Sequence, residues 1–327
     1  MIRLNKSPEA DFKVLNLTDT HLVNPDWGNP TVRKIFEETI CSLIKGTNPD
    51  LITVSGDISF AHHQASYVKF ADLINSFQIP WSVCWGNHDH QSGDAQLLDY
   101  EREYLSYDNF VYETGDPALG YGNFTIAICE NDRILHGIIM MDCFFPDHPH
   151  LDVEDTDKNN KVFLPELIAW YEEEINNLLS IGCKESTLIT HVPLYEYMLA
   201  WKAAFNSAFD CKKVTFDDSY DSKYWNEGFQ DSFGLCCEHI TYSDAACGLF
   251  PAMKALGSTK NVVVGHDHLN SFSIPYEGIR LTYGMASSSV GLKNVVGGTL
   301  ITINSNGNAT IKHVPVHFKI SAEAQTQ

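Results

Sequence analysis

The sequence predicts an α/β fold in which two mixed sheets pack together with helices outside. Three observations carry this expectation. Apolar runs of strand length alternate with helix-period segments in the N-terminal part, strand runs crowd the C-terminal part, and five of the strands end in polar clusters. "FKVLNL" (Phe12–Leu17) is a short apolar run ending at "TDTH", and "DLITVS" (50–55) is another ending at "GD". Between them Val32, Ile35, Phe36, Ile40, Leu43 and Ile44 recur at helical spacing behind Thr31, a residue suited to an N-cap. Val68, Ala71, Ile74 and Phe77 form a second periodic segment leading to the strand "WSVCW" (81–85). Such alternation implies parallel pairing through right-handed crossovers.

Further on, "FTIAIC" (124–129) and "ILHGIIMMD" (134–142) read as neighbouring strands, and "PELIAWYEEEINNLLS" (Pro165–Ser180) reads as a helix with Pro165 in its first turn. Strand runs return at "STLIT" (186–190), "NVVVG" (261–265), "IRLTYG" (279–284) and "GTLITIN" (298–304). Residues 194–250 are rich in Tyr, Trp, Phe and Asp and have little strand pattern. They are expected to form an excursion over the functional site within a single domain spanning residues 1–327.

Composition narrows the partners. With 44% hydrophobic and 20% charged residues, the chain has the balance of an ordinary globular protein. A formal charge of −20 and only five arginines (Arg3, Arg33, Arg102, Arg133, Arg280) leave no basic stripe, so a nucleic acid duplex is not an expected partner. No stretch approaches the roughly 18 apolar residues of a membrane span, so no membrane partner is expected either. The N-terminus lacks the apolar core of a secretory signal, and the expected compartment is cytoplasmic, or secreted if Met1 is not the natural start. Nine scattered cysteines without a CxxC pair favour free thiols, with the cluster Cys236, Cys237 and Cys247 as the place where one bridge could form.

The polar strand ends carry the chemistry. They are "DTH" (Asp19, His21), "GD" (Asp57), "GNHD" (Asn87, His88, Asp89), "TH" (His191) and "GHDH" (His266, His268). In open α/β sheets the carboxyl ends of parallel strands converge on one crevice, so residues distant in sequence can meet there. A mixture of imidazole, carboxylate and amide donors suits Zn, Mn or Fe.

In this ordered set the sequence resembles the calcineurin-like metallophosphoesterases, whose signature is D-x-H, G-D, G-N-H-D/E, H and G-H-x-H. The resemblance spans residues 19–268. "HVPLYEY", "CC" and "GHDHLN" followed by "GIRLTYG" are similar to the small purple-acid-phosphatase-like branch. It implies a four-layer α/β/β/α sandwich and two divalent metal ions (Mn, Zn or Fe). Asp19, His21, Asp57 and His268 would hold the first ion, and Asp57, Asn87, His191 and His266 the second. Two cations roughly 3.5 to 4 Å apart can activate a bridging hydroxide for in-line attack on phosphorus. The implied reaction is hydrolysis of a small-molecule phosphate ester, a monoester first and a diester such as a cyclic nucleotide second. A catalytically silent binding scaffold is a third reading. His88 would protonate the leaving group, with Asp89 orienting its ring.

Two departures refine the resemblance. Purple acid phosphatases carry a tyrosine ligand three residues after the second-motif aspartate, whereas this chain has Phe60. That change favours a colourless divalent centre. The arginines that flank the GD and GNHE motifs of Ser/Thr protein phosphatases are absent from "GDISFAHH" and "VCWGNHD". His62, His63, His90 and Glu196 are the rim candidates for substrate contact in their place.

Other features are weighed more plainly. "DTDKNNKVFLPE" (155–166) has the oxygen spacing of a calcium loop at Asp155, Asp157, Asn159 and Glu166, so Ca at a separate site is an alternative to an acidic solvated loop. His136 reads as a satisfied interior histidine, His148 and His150 as solvated, and His239, His313 and His317 have no partner motif. Tyr195, Tyr197, Trp201, Phe205, Tyr224 and Trp225 are expected to pack among themselves more than to stack on a ligand.

Overall fold

The computed structural model describes residues 1–22, 30–59, 64–91, 94–143, 162–245, 247–288 and 295–317. In chain order the first elements are β1 (Ile2–Asn5), β2 (Phe12–Leu17), α1 (Pro30–Thr47), β3 (Leu51–Ser55), α2 (Gln64–Ser76), β4 (Trp81–Cys84), the single turn α3 (Asn87–His90) and α4 (Asp94–Tyr104). Next come β5 (Phe124–Glu130), β6 (Arg133–Met140), α5 (Pro165–Ser180), β7 (Glu185–Ile189), α6 (Tyr195–Ala204), α7 (Leu249–Leu256) and β8 (Thr259–Val264). The chain then closes through β9 (Ser273–Tyr276), β10 (Ile279–Tyr283), β11 (Val295–Ile303) and β12 (Ala309–His317).

Two mixed sheets result. One has seven strands in the order β1-β5-β6-β7-β8-β10-β9, the other five in the order β12-β11-β2-β3-β4. Period-two alternation divides the side chains of the larger sheet between two cores. Ile126, Ile128, Ile138, Met140, Ile189 and Val263 point to the smaller sheet and join its Phe12, Val14, Ile301 and Ile303. Their sequence neighbours Ala127, Cys129, Ile139, Met141, Leu188, Val262 and Val264 point the other way, onto Leu167, Tyr171 and Ile175 of α5 and Leu249 and Met253 of α7. The far face of the smaller sheet is covered by α1 and α2 through Phe36, Ile40, Leu43, Phe70 and Ile74. This is the expected sandwich of two mixed sheets flanked by helices.

Two buried histidines tie the sheets at their ends. His136 on β6 hydrogen-bonds through Nδ1 to the carbonyl of Gly307, in the turn between β11 and β12, at 2.8 Å, and through Nε2 to the Thr187 hydroxyl at 2.9 Å. His313 on β12 crosses the other way, from Nε2 to the Ser271 carbonyl at 2.7 Å, with Nδ1 3.0 Å from the Thr299 hydroxyl. In each ring one nitrogen donates to a carbonyl and the other accepts from a threonine, which defines a neutral imidazole.

Some boundaries differ from the sequence expectation. Helix α1 begins at Pro30, so Thr31 lies in its first turn and not ahead of it. The strand around 134–142 stops at Met140, and residues 141–143 already form the loop below the site. The stretch 194–250 holds α6 and the start of α7, because Tyr197, Ala200 and Ala204 supply one buried helix face. Its aromatic rings pack on one another and on the sheet. Trp201 stacks on Phe205 at 4.5 Å, meets Trp225 edge-on at 5.9 Å and lies 5.2 Å from Phe272. All nine cysteines are unbridged.

Candidate metal centre

Five parallel strands, β2, β3 and β4 in the smaller sheet and β7 and β8 in the larger, deliver their C-terminal ends to one place. The loops that follow remain hydrogen-bonded to one another. Asp19 N–H donates to Gly56 O at 3.1 Å, His21 N–H to Asp57 O at 3.1 Å, and Gly265 N–H to His191 O at 3.0 Å. Four of the residues at these turns, Asp19, His21, Asp57 and His266, have φ of 51°, 43°, 55° and 81°. Left-handed backbone is costly for a residue with a Cβ, and it persists where surrounding structure over-determines it. Here it turns each side chain inward just past the strand.

The glycines of the motifs make the close approach possible. A Cβ on Gly56, whose φ is +92°, would sit 2.5 Å from His191 Nδ1 and 2.8 Å from the Gly86 Cα. A Cβ on Gly86 would collide with the carboxylate and backbone of Asp57. Any larger residue would therefore push apart the loops after β3 and β4.

The donors meet in two groups that share Asp57. Atoms of Asp19, His21, Asp57 and His268 lie within 4.8 Å of one another, and so do atoms of Asp57, His191 and His266. His21 Nε2 and His268 Nε2 are 2.7 Å apart. Asn87 Oδ1 joins the second group, 3.0 Å from His191 Nε2 and 2.9 Å from His266 Nδ1. All seven are buried except His266 and His268, which are half-buried.

The protonation pattern is that of a cation receptacle. His191 donates Nδ1–H to the Ser55 carbonyl at 2.7 Å and turns its Nε2 to Asp57 Oδ2 at 3.3 Å. Burial would lower the His191 imidazole, but the Asp57 carboxylate facing it raises it to about 10, so the pocket favours positive charge, and the buried Asp57 Oδ2 accepts no hydrogen bond of good geometry. Burial holds His21 and His266 down at about 3, leaving both rings neutral as metal ligation requires. Burial alone would raise Asp57, but the imidazoles of His191, His21 and His88 hold it below the usual carboxylate range. An orphaned acidic oxygen among inward-facing imidazoles fits a pair of divalent ions.

Asp89 does not orient the His88 ring as the sequence led us to expect. Consecutive residues on a helical turn do not face each other, and Asp89, third in the α3 turn, folds back beneath the loops. Its carboxylate accepts from the N–H groups of Gly86 at 2.8 Å, Asp57 at 2.9 Å and Ile58 at 3.0 Å and from the Tyr67 hydroxyl at 2.7 Å. The partner of His88 Nδ1 is Gln91 Oε1, at 2.8 Å. His88 is part-exposed, with Nε2 4.0 Å from Asp57 Oδ2.

The rim candidates fare differently. His90 is buried, not on a rim: its Nε2 lies 3.1 Å from Asp142 Oδ1 and its ring stacks beside Tyr121. Asn87 faces the donors, whereas His90 is committed to Asp142 and Tyr121. Glu196 lines a separate hollow of about 420 Å³ with Leu199, Phe250, Lys254, Tyr276 and Glu277, none of them a donor. His62 and His63 lie outside the described residues, as do Phe60, His148, His150 and the calcium-loop positions Asp155, Asp157 and Asn159. Glu166 is exposed in the first turn of α5.

Supports that the motifs did not announce come from the 194–250 stretch. Asp267, between the two donor histidines, accepts from Thr241 N–H at 2.9 Å and the Tyr283 hydroxyl at 2.5 Å. Asn270 Oδ1 accepts from Cys237 N–H at 3.0 Å and Glu238 N–H at 3.2 Å. Only the placement of Asp267 inside "GHDH" hinted at this clamp.

A family model described as calcineurin-like phosphoesterase matches residues 12–227, more than half of the chain. The chain belongs to the calcineurin-like phosphoesterases. Among curated relatives of this phosphoesterase is a probable inactive purple acid phosphatase from Arabidopsis thaliana, 23% identical over 86% of this chain and 73% of that protein. A 3',5'-cyclic adenosine monophosphate phosphodiesterase from Vibrio vulnificus is 30% identical over 28% of this chain and 34% of its own length. In three dimensions, a dimetal phosphatase from Danio rerio overlaps 95% of this phosphoesterase and 100% of that chain. The TM-score is 0.54 at 8% identity, a likeness of fold. Within this family the two donor groups sharing Asp57 point to two metal ions.

Proposed function

We propose that this calcineurin-like phosphoesterase is an active two-metal phosphatase that hydrolyses small phosphomonoesters. The observation that carries the reading is the complete donor set meeting around Asp57, with His88 beside it. Asp19, His21, Asp57 and His268 would hold one ion and Asp57, Asn87, His191 and His266 the other. When bound, such ions supply Lewis acidity, polarising a phosphoryl oxygen and acidifying a water. The protein's own part is to fix the donors on rigid strand ends and to present His88, whose Nε2–H can donate to the phosphoryl or leaving-group oxygen.

A relative named as probable inactive supports the silent-scaffold reading, and the relative named as a cyclic nucleotide phosphodiesterase supports diester hydrolysis. Against the scaffold stands the retention of every donor and of His88 in this chain. Metal analysis of the purified protein, followed by parallel assays on a monoester, a diester and a nucleotide panel with Mn or Zn, separates the three. Monoester turnover that vanishes in Asp57→Asn supports the proposal. Turnover of diesters alone replaces it with the second reading, and metal-loaded protein without activity replaces it with the scaffold.

A further inference from the structure

We propose that Gln91 is the positioning residue of His88, holding the ring through Nδ1 so that Nε2 faces the donor cluster. The inference rests on the proposed role of His88 in phosphate-ester hydrolysis. Gln91 follows His88 by three positions, the spacing at which side chains on a helical turn meet. Its backbone is fixed as the cap of α3, with φ −59° and ψ −19° and its N–H donated to Asn87 O at 3.1 Å. Its Oε1 lies 2.8 Å from His88 Nδ1. On the other side of the ring, Nε2 is 4.0 Å from Asp57 Oδ2, and the His21 ring packs edge-on at 5.2 Å. The neighbouring carboxylate is committed elsewhere, since Asp89 serves three backbone N–H groups and Tyr67.

An amide differs from a carboxylate in this position. With Oε1 toward the ring, Gln91 accepts Nδ1–H. Turned over, its NH₂ donates to Nδ1, and the ring's single proton then sits on Nε2, aimed at the cluster. A carboxylate can only accept, so it would keep that proton on Nδ1 in a neutral ring. Glutamine therefore orients His88 while leaving both neutral tautomers open.

The test uses zinc-loaded protein with ¹⁵N-labelled histidine, wild type beside Gln91→Met and Gln91→Glu, with His88 signals assigned from His88→Gln. Gln91→Met should move the His88 ring nitrogens toward the averaged shifts of a solvated imidazole, and Gln91→Glu should pin the proton on Nδ1. In the monoester assay Gln91→Met should lower kcat about tenfold, the loss of one hydrogen bond, with KM and zinc content unchanged. Ring signals identical in wild type and Gln91→Met would overturn the positioning role, whatever the activity. If wild type hydrolyses no phosphate ester yet Gln91→Met still changes the ring spectrum, the hydrolase reading falls and the positioning role stands.

Discussion

The carboxylate of Asp89 accepts the backbone N–H of Asp57 at 2.9 Å, so the loop after β4 holds the shared donor of the loop after β3 by its main chain. Asp89→Ala would leave the N–H groups of Asp57, Ile58 and Gly86 and the Tyr67 hydroxyl without their acceptor in a fully buried site. The expected loss is roughly 3 kcal/mol or more, since each stranded buried donor carries its own penalty. Denaturant titration checks it. Tyr67→Phe, which removes one donor of the set, should cost about 1 kcal/mol.

Metal stoichiometry should separate the two donor groups. Asp19→Asn alters one group, and bound zinc per chain should fall from two toward one. Asp57→Asn alters both, and neither ion should be retained. Elemental analysis after dialysis gives the answer, and equal losses in the two variants would speak against the sharing of Asp57.

His88 stands apart from the donors. Because it belongs to neither group, His88→Ala should retain bound metal while turnover falls well over tenfold, the scale of a lost general acid. Steady-state kinetics beside metal analysis on the same sample measures both.

Acid stability should depend on the two inter-sheet histidines. Burial pushes His136 and His313 down to about 4 from the usual 6.5, so the folded chain keeps both neutral while the unfolded chain protonates them. The unfolded state then binds more protons between those values, and stability is full above pH 6.5 and lost as pH falls toward 4. The shift corresponds to roughly 3 kcal/mol per ring. His136→Gln should remove one ring's share of the slope. Unfolding free energies of wild type and variant at a series of pH values measure it.

How much of this was legible in the sequence depends on whether an interaction is local. The strands of Phe12–Leu17 and Leu51–Ser55 and their polar ends stand in the linear pattern because burial on both faces demands continuous apolar runs. The role of Asp89 does not, since one helical turn decides whether a carboxylate faces its neighbour or the loop below. His90 was misread because its partners, Asp142 and Tyr121, meet it only once the chain is folded. His313 has no motif because Thr299 reaches it only when β11 pairs with β12, and Ser271 only when the two sheets pack. The helix at Tyr195–Ala204 was hidden by aromatic residues on both its buried and its half-buried faces, which blur the helical period.

The donors enter the chain in the order Asp19, His21, Asp57, Asn87, His191, His266, His268, drawn from both sheets. A ribosome that has synthesised β2, β3 and β4 has made only about half of them. Neither group has its full donor set until the loop after β8 has emerged. A growing chain halted short of His268 therefore carries an unfinished receptacle, and metal loading waits for the loop after β8.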